Sequence, residues 1–177
     1  MKNNFIKIKN NSEIYLAGGC FWGVEAYFSK IHGIVDTTVG YANGNTENTN
    51  YEMIKTTHHA ETVHIKYDIE KISLDEILQY YFKIIDPTSI NKQGEDIGNQ
   101  YRTAIYYTND EDKKIICKFI ENKKDEFDKP IVVEVEKLKN FVIAEQYHQD
   151  YLKKNPNGYC HINLNICLLY TSPSPRD

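Results

Sequence analysis

Residues 60–85 read AETVHIKYDIEKISLDEILQYYFKII, and two periodicities meet inside them. From Ala60 to Asp68 the pattern alternates, with Val63, Ile65 and Tyr67 on one side and Thr62, His64 and Lys66 on the other. A period of two belongs to a strand with one buried face. At Ser73 the period changes. Ser73 and Glu76 stand in the capping-box relation, and Leu74, Ile77, Leu78, Tyr81 and Ile85 recur along one helix face. Asp86-Pro87 ends that helix, because proline disfavours helical geometry for the residue before it.

The flanking sequence extends this unit in both directions. Upstream, Glu13–Ala17 is a short apolar run broken by Gly18-Gly19, the mark of a buried strand entering a tight turn. Val24, Tyr27, Phe28 and Ile31 then recur at helical spacing, so a helix is expected from Cys20 or Trp22 to a glycine cap at His32-Gly33. Ile34–Tyr41 is β-branched and strand-like, and Ala42–Asn50 is a loop. Downstream, Thr88–Asn99 is a polar loop and Thr103–Tyr107 a strand. Thr108 and Glu111 form a second capping box, leading a helix with Ile116, Phe119 and Ile120 inward. Ile131–Val135 and Phe141–Ala144 are further strands, Glu145–Lys153 a short helix, and Asn155-Pro156-Asn157-Gly158 a turn.

The order β-α-β-β-α-β-α-β-β-α predicts an α+β fold. The expected form is a two-layer sandwich: helices packed on a central mixed β-sheet, a ferredoxin-like core and an irregular C-terminal segment. Residues 1–167 are expected to form a single domain. Residues 168–177 show no periodicity and carry two of the five prolines, so they read as a disordered or non-native tail.

Composition narrows the function. The net charge of −4 and the lack of a basic cluster argue against nucleic acid as a partner. The apolar runs are too short to span a bilayer, so no membrane association is expected. Residues Met1–Glu13 hold no apolar signal core, which points to a cytoplasmic location. In that setting four cysteines read as chemistry or packing rather than as a disulfide framework. His58 and His59 have no second cluster at ligand spacing, and no glycine opens a phosphate-binding motif, so neither metal nor cofactor is expected. Nothing in the pattern calls for a coiled coil, and a monomer is expected.

The chemistry concentrates in Gly18-Gly19-Cys20-Phe21-Trp22-Gly23. A cysteine after a strand-ending glycine pair and at a helix start faces unpaired N–H groups and a positive dipole end, both of which favour the nucleophilic thiolate. Phe21 and Trp22 offer an aromatic wall to a small thioether-like group. Set against this is the ordinary fate of a free cysteine, burial among core aromatics. Thiol attack on a sulfoxide also needs an acid for the departing oxygen, and Glu61 at the start of the alternating strand is a candidate if burial raises its pKa. Two other readings are open: a cysteine–histidine hydrolase with Cys20 as acyl nucleophile, and a non-catalytic binding domain built on exposed aromatics. Cys117, set among lysines and isoleucines of a helix, reads as a packing residue.

Taken in order, Gly19-Cys20-Phe21-Trp22-Gly23, Val39-Gly40-Tyr41-Ala42-Asn43-Gly44, Asn50-Tyr51, His59-Ala60-Glu61, Asp86-Pro87-Thr88, Gly98-Asn99-Gln100-Tyr101-Arg102-Thr103, Tyr147-His148-Gln149 and Asn157-Gly158-Tyr159-Cys160 resemble the A-type peptide methionine sulfoxide reductases. The resemblance runs from about Ile14 to Cys160. It implies reduction of methionine S-sulfoxide, in proteins or free, by Cys20, which becomes a sulfenic acid. It further implies Glu61 as the acid, Tyr51 and Tyr101 as hydroxyls holding the sulfoxide oxygen, and Asp96 as a hydrogen-bonding carboxylate. Phe21 and Trp22 would receive the methyl group. Cys160 would resolve the sulfenic acid to a disulfide, reduced in turn by a thioredoxin-like partner. The chain departs from the family pattern at His58, where relatives usually carry glycine, and in a shorter segment between Tyr51 and Glu61. Many relatives have a second recycling cysteine near the C-terminus, and Cys167 lies near that place.

Overall fold

The computed structural model describes residues 10–162. Within them β1 (Asn11–Gly18) leads to α1 (Phe21–Ser29) and β2 (Ile34–Ala42). A one-turn helix α2 (Ile54–Thr57) precedes β3 (Ala60–Asp68), and α3 (Leu74–Ile84) follows it. The short strands β4 (Lys92–Gln93) and β5 (Asp96–Ile97) pair as a hairpin inside the expected loop. Then come β6 (Thr103–Tyr107), α4 (Asp110–Lys123), β7 (Glu134–Lys137), β8 (Phe141–Ile143) and α5 (Tyr151–Lys154).

Six strands form one sheet in the order β7-β6-β1-β3-β2-β8. Every pairing is antiparallel except that of β6 with β7, so the sheet is mixed. The inner order β6-β1-β3-β2, with α1 and α3 as crossovers, is the ferredoxin-like arrangement expected from the sequence. Alternation decides what each face does. Ile14 and Leu16 of β1 join Val63, Ile65 and Tyr67 of β3 in the main core, against Val24, Tyr27 and Phe28 of α1 and Leu74, Ile77 and Leu78 of α3. The opposite face carries Tyr15, Ala17, Ala42, Ala60, Ala104 and Tyr106, and Leu138 and Phe141 close over it. Small residues there let the chain returning to β8 lie close to the sheet.

The Ser73 capping box is complete: the Glu76 N–H donates to Ser73 Oγ at 3.1 Å, and the Ser73 N–H to Glu76 Oε1 at 3.1 Å. The strand expected at Ile131–Val135 is found as β7, Glu134–Lys137, and three helix boundaries also change. Helix α1 stops at Ser29 rather than at Gly33, whose left-handed φ of 98° instead turns the chain into β2. The cap of α4 is Asn109, not Thr108: Asn109 Oδ1 accepts from the Asp112 N–H at 2.8 Å. This register puts Asp110, Glu111 and Asp112 in the first turn, where the helix dipole favours carboxylates. The expected helix over 145–153 is broken into a 3-10 turn, Gln146–His148, and α5. The break falls at Asp150, held at φ 52° with its N–H donated to Glu25 Oε1 at 2.8 Å. A tertiary hydrogen bond there replaces a helical one.

No helix among the described residues is long and apolar enough to cross a membrane. Residues 163–177, and with them Cys167 and the expected tail, lie outside the described residues.

The cap assignment has a direct test. Asn109→Ala should lower the unfolding free energy by about 1 kcal/mol in urea titration, as the loss of an N-cap side chain does. Thr108→Ala should stay within about 0.5 kcal/mol. The reverse ranking would return the cap to Thr108.

Candidate functional site

The site begins where β1 ends. Gly19 has φ +88°, and a Cβ there would come within 2.8 Å of Gln93, so the turn requires glycine on both counts. It delivers Cys20 to the N-cap of α1, as the sequence placed it, but into a buried position with 8% of its surface exposed. Burial pushes the Cys20 thiol far up, and the nearby Glu61 carboxyl pushes it further. Only the Trp22 backbone N–H among the leading influences pulls the other way. The helix start therefore does not give a resting thiolate: a helix terminus is worth about 0.3–1 kcal/mol, whereas full burial shifts a pKa by up to about 3–5 units. The cysteine rests as a protonated thiol.

Glu61 is the second element. It shares the parity of Val63, Ile65 and Tyr67 on β3, so its side chain faces the main core at the end of the strand next to α1. It is 2% exposed, and its Oε1 accepts the Phe21 N–H at 3.1 Å. Burial raises its pKa to about 8, with the Phe21 hydrogen bond opposing and the Asp96 charge adding to the rise. At neutral pH this carboxyl holds its proton. It is an acid with a proton to give.

Around these two groups the chain closes a cavity of about 180 Å³ lined by Cys20, Phe21, Trp22, Tyr51, Glu61, Asp96, Tyr101 and Tyr159. Burial, followed by the Glu61 charge, raises the pKa of both Tyr51 and Tyr101, so both keep their hydroxyl protons. Tyr51 is set in place through its backbone N–H, which donates to Glu145 Oε2 at 3.2 Å. Asp96, from β5, accepts the Tyr159 hydroxyl at 3.1 Å. Tyr159 was missed in the sequence, where its segment drew attention only for the cysteine beside it.

Trp22 is fixed on two sides. Its indole N–H donates to His148 Nδ1 at 3.0 Å, and its ring stacks on Tyr151 at 3.7 Å. His148 is almost fully buried and also touches the rings of Phe21 and Tyr51. Burial lowers its pKa, which keeps Nδ1 free to accept. In the sequence His148 stood out only within Tyr147-His148-Gln149. Its partner is 126 positions away, a relation that no local pattern shows.

Cys160 does not line the Cys20 cavity. It borders a cavity of about 280 Å³ with Trp22, Glu25 and Tyr151, and Trp22 lines both spaces. Its thiol donates to the Ile162 carbonyl at 3.2 Å and lies over Gly23, where a Cβ would come within 3.0 Å of the sulfur. Cys20, Cys117 and Cys160 are all free thiols. Cys117 is exposed, so packing is not its role. His58, where relatives usually have glycine, ends α2 in a left-handed conformation with φ 61°. That is a position where glycine adopts the backbone without the penalty a side chain carries. Among the described residues no three His, Cys, Asp or Glu side chains cluster to hold a metal ion.

This geometry has relatives. A family model described as peptide methionine sulfoxide reductase matches residues 12–171. The crystal structure of Mxr1 from Saccharomyces cerevisiae in reduced form is 37% identical, with a TM-score of 0.82 over 88% of this chain and 92% of that one. Methionine sulfoxide reductase A of Corynebacterium diphtheriae is 33% identical, with a TM-score of 0.80 over 85% of this chain and 78% of that one. The structure of Mxr1 in complex with Trx2 is similar at 28% identity and a TM-score of 0.59, over 81% of this chain and 86% of that one. With the match reaching from β1 to beyond Cys160, the chain belongs to the peptide methionine sulfoxide reductases, of the A type.

Proposed function

We propose that this chain reduces the S epimer of methionine sulfoxide, in proteins and peptides and in the free amino acid, through a sulfenic acid on Cys20. The observation that carries this reading is a buried thiol and a protonated buried carboxyl facing one cavity of about 180 Å³. The substrate methyl group lies against Phe21 and Trp22, and the sulfoxide oxygen faces Glu61 with the hydroxyls of Tyr51 and Tyr101. Glu61 gives its proton to that oxygen, which draws electrons from the sulfoxide sulfur. Cys20 transfers an electron pair and accepts the oxygen. Its own thiol proton restores Glu61. The balance is one thiol and one sulfoxide converted to one sulfenic acid and one thioether.

Cys160 then attacks the sulfenic acid to form a Cys20–Cys160 disulfide. A thioredoxin-type dithiol reduces it, a partner supported by the similarity to a yeast relative captured with Trx2. The enzyme acts as a monomeric repair catalyst in the cytoplasm. A cysteine hydrolase would need a histidine on Cys20. Among the described residues no histidine lines the Cys20 cavity.

The test is a peptide carrying both sulfoxide epimers, incubated with dithiothreitol and analysed by chiral separation. Only the S epimer should disappear, and Cys20→Ser should stop its loss. Consumption of the R epimer alone, or turnover by Cys20→Ser, would defeat the reading. Cys160→Ser should release methionine once per enzyme at the wild-type rate and lose turnover with a thioredoxin-type donor.

Glu61 sets a pH dependence. The first-turnover rate should hold level up to about pH 8 and fall above it, as the raised Glu61 carboxyl loses its proton. Glu61→Gln should slow that step by about 10²–10⁴-fold and remove the alkaline fall. The same carboxyl binds its proton more tightly folded than unfolded. Its contribution to stability is therefore fully present below the ordinary glutamate range and is lost as pH rises towards about 8. Urea unfolding of Glu61→Gln should lack that decline, and an unchanged pH slope would show the carboxyl to be ionised at rest.

A further inference from the structure

His161, next to Cys160, is anchored to the end of β1: its Nε2 lies 3.0 Å from the Gly18 carbonyl oxygen. A carbonyl only accepts, so Nε2 carries the proton and Nδ1 of the neutral ring holds the bare lone pair. That Nδ1 is buried and has no hydrogen-bond partner. Its direction is given by Gly23, in the first turn of α1. A Cβ built on Gly23 would meet Cys160 Sγ at 3.0 Å, Ile162 Cδ1 at 3.2 Å and His161 Nδ1 at 3.4 Å. The thiol and the bare nitrogen converge over one glycine, three residues beyond Cys20. Gly23 is the residue that leaves this space open.

The thiol needs help to react. Burial raises the pKa of Cys160, with a backbone hydrogen bond from Ile162 and the Lys30 charge opposing. Burial lowers the pKa of His161, opposed by the Gly18 bond and the Asp96 charge, so the ring stands neutral and able to take a proton. Asp96 on β5 and Cys160 are the titratable groups facing it, and the Asp96 charge favours the imidazolium once formed.

We propose that His161 is the general base of the disulfide-forming step, its Nδ1 taking the Cys160 thiol proton as Sγ attacks the Cys20 sulfenic acid. The new bond joins the two sulfurs and the Cys20 S–O bond breaks. The oxygen leaves as water with the proton returned from the imidazolium. The sulfenic sulfur is reduced and the Cys160 sulfur oxidised, so no further reductant or oxidant enters. This inference rests on the roles given above to Cys20 and Cys160.

His161→Gln separates base from anchor, since the amide keeps an N–H for the Gly18 carbonyl and has no basic nitrogen. The full chain is mixed with methionine sulfoxide without reductant, and released methionine and remaining thiols are followed by rapid quench. The variant should release methionine at the wild-type rate while losing thiols on the order of 100-fold more slowly at neutral pH. Its thiol loss should climb with pH as Cys160 ionises unaided, whereas the wild-type rate levels off once the ring is neutral. His161→Ala should regain thiol loss in proportion to added imidazole. Wild-type thiol loss in His161→Gln with an unchanged pH profile, or no response of His161→Ala to imidazole, would overturn the proposal and leave His161 an anchor. A wild-type chain that releases no methionine would instead overturn the reading of Cys20 itself, and this inference with it.

Discussion

Burying a carboxyl group beneath a sheet is costly unless it is neutral and hydrogen-bonded. Glu61 meets both conditions, and the organisation of the site follows from how it does so. Parity on β3 turns its side chain towards the core, and the first free N–H of α1, from Phe21, meets it there at 3.1 Å. That bond joins the helix start to the strand and so sets the separation of the carboxyl from Cys20, the residue immediately before Phe21. It also explains why one free N–H of the helix terminus is occupied by an acid rather than left to the thiol. The carboxyl gains a partner, and the thiol remains protonated until something else lowers its proton affinity.

The consequence is a site that is unreactive at rest. Cys20 is held as a thiol by burial, so it is protected from casual oxidation and exchange. In the proposed chemistry a bound sulfoxide would change the balance, because proton transfer from Glu61 makes its sulfur electron-poor. Trp22, clamped between the Tyr151 ring and the His148 nitrogen, lines both the Cys20 cavity and the space beside Cys160. Under the proposed roles, reduction and resolution would occupy adjoining spaces at the first turn of α1, where Cys160 lies over Gly23.

Much of this was legible in the amino-acid order, and the parts that were not share a cause. Alternation from Ala60 to Asp68 gave β3 its bounds, and the Ser73–Glu76 pair gave α3 its start, because both depend on residues a few positions apart. The α4 cap moved by one residue because Thr108 and Asn109 are both competent and side-chain geometry chose between them. The expected helix at 145–153 failed because Glu25, far away in sequence, offers the Asp150 N–H a better partner. Distance also hid the clamp on Trp22 and the contact of Tyr159 with Asp96.

By itself the sequence determined the order of the main strands and helices, the α+β class with its ferredoxin-like core, and the membership that the ordered motifs around Cys20, Glu61, Tyr101 and Cys160 declare. These are properties of residue type and spacing, which local propensity and pattern encode directly. Only the tertiary structure decided the protonation states: that Cys20 rests as a thiol, that Glu61 keeps its proton to about pH 8, and which nitrogen of His161 is bare. Ionisation depends on the water removed and the partners met when distant segments close together. A helix start argues for a thiolate, and burial, the larger effect, reverses it.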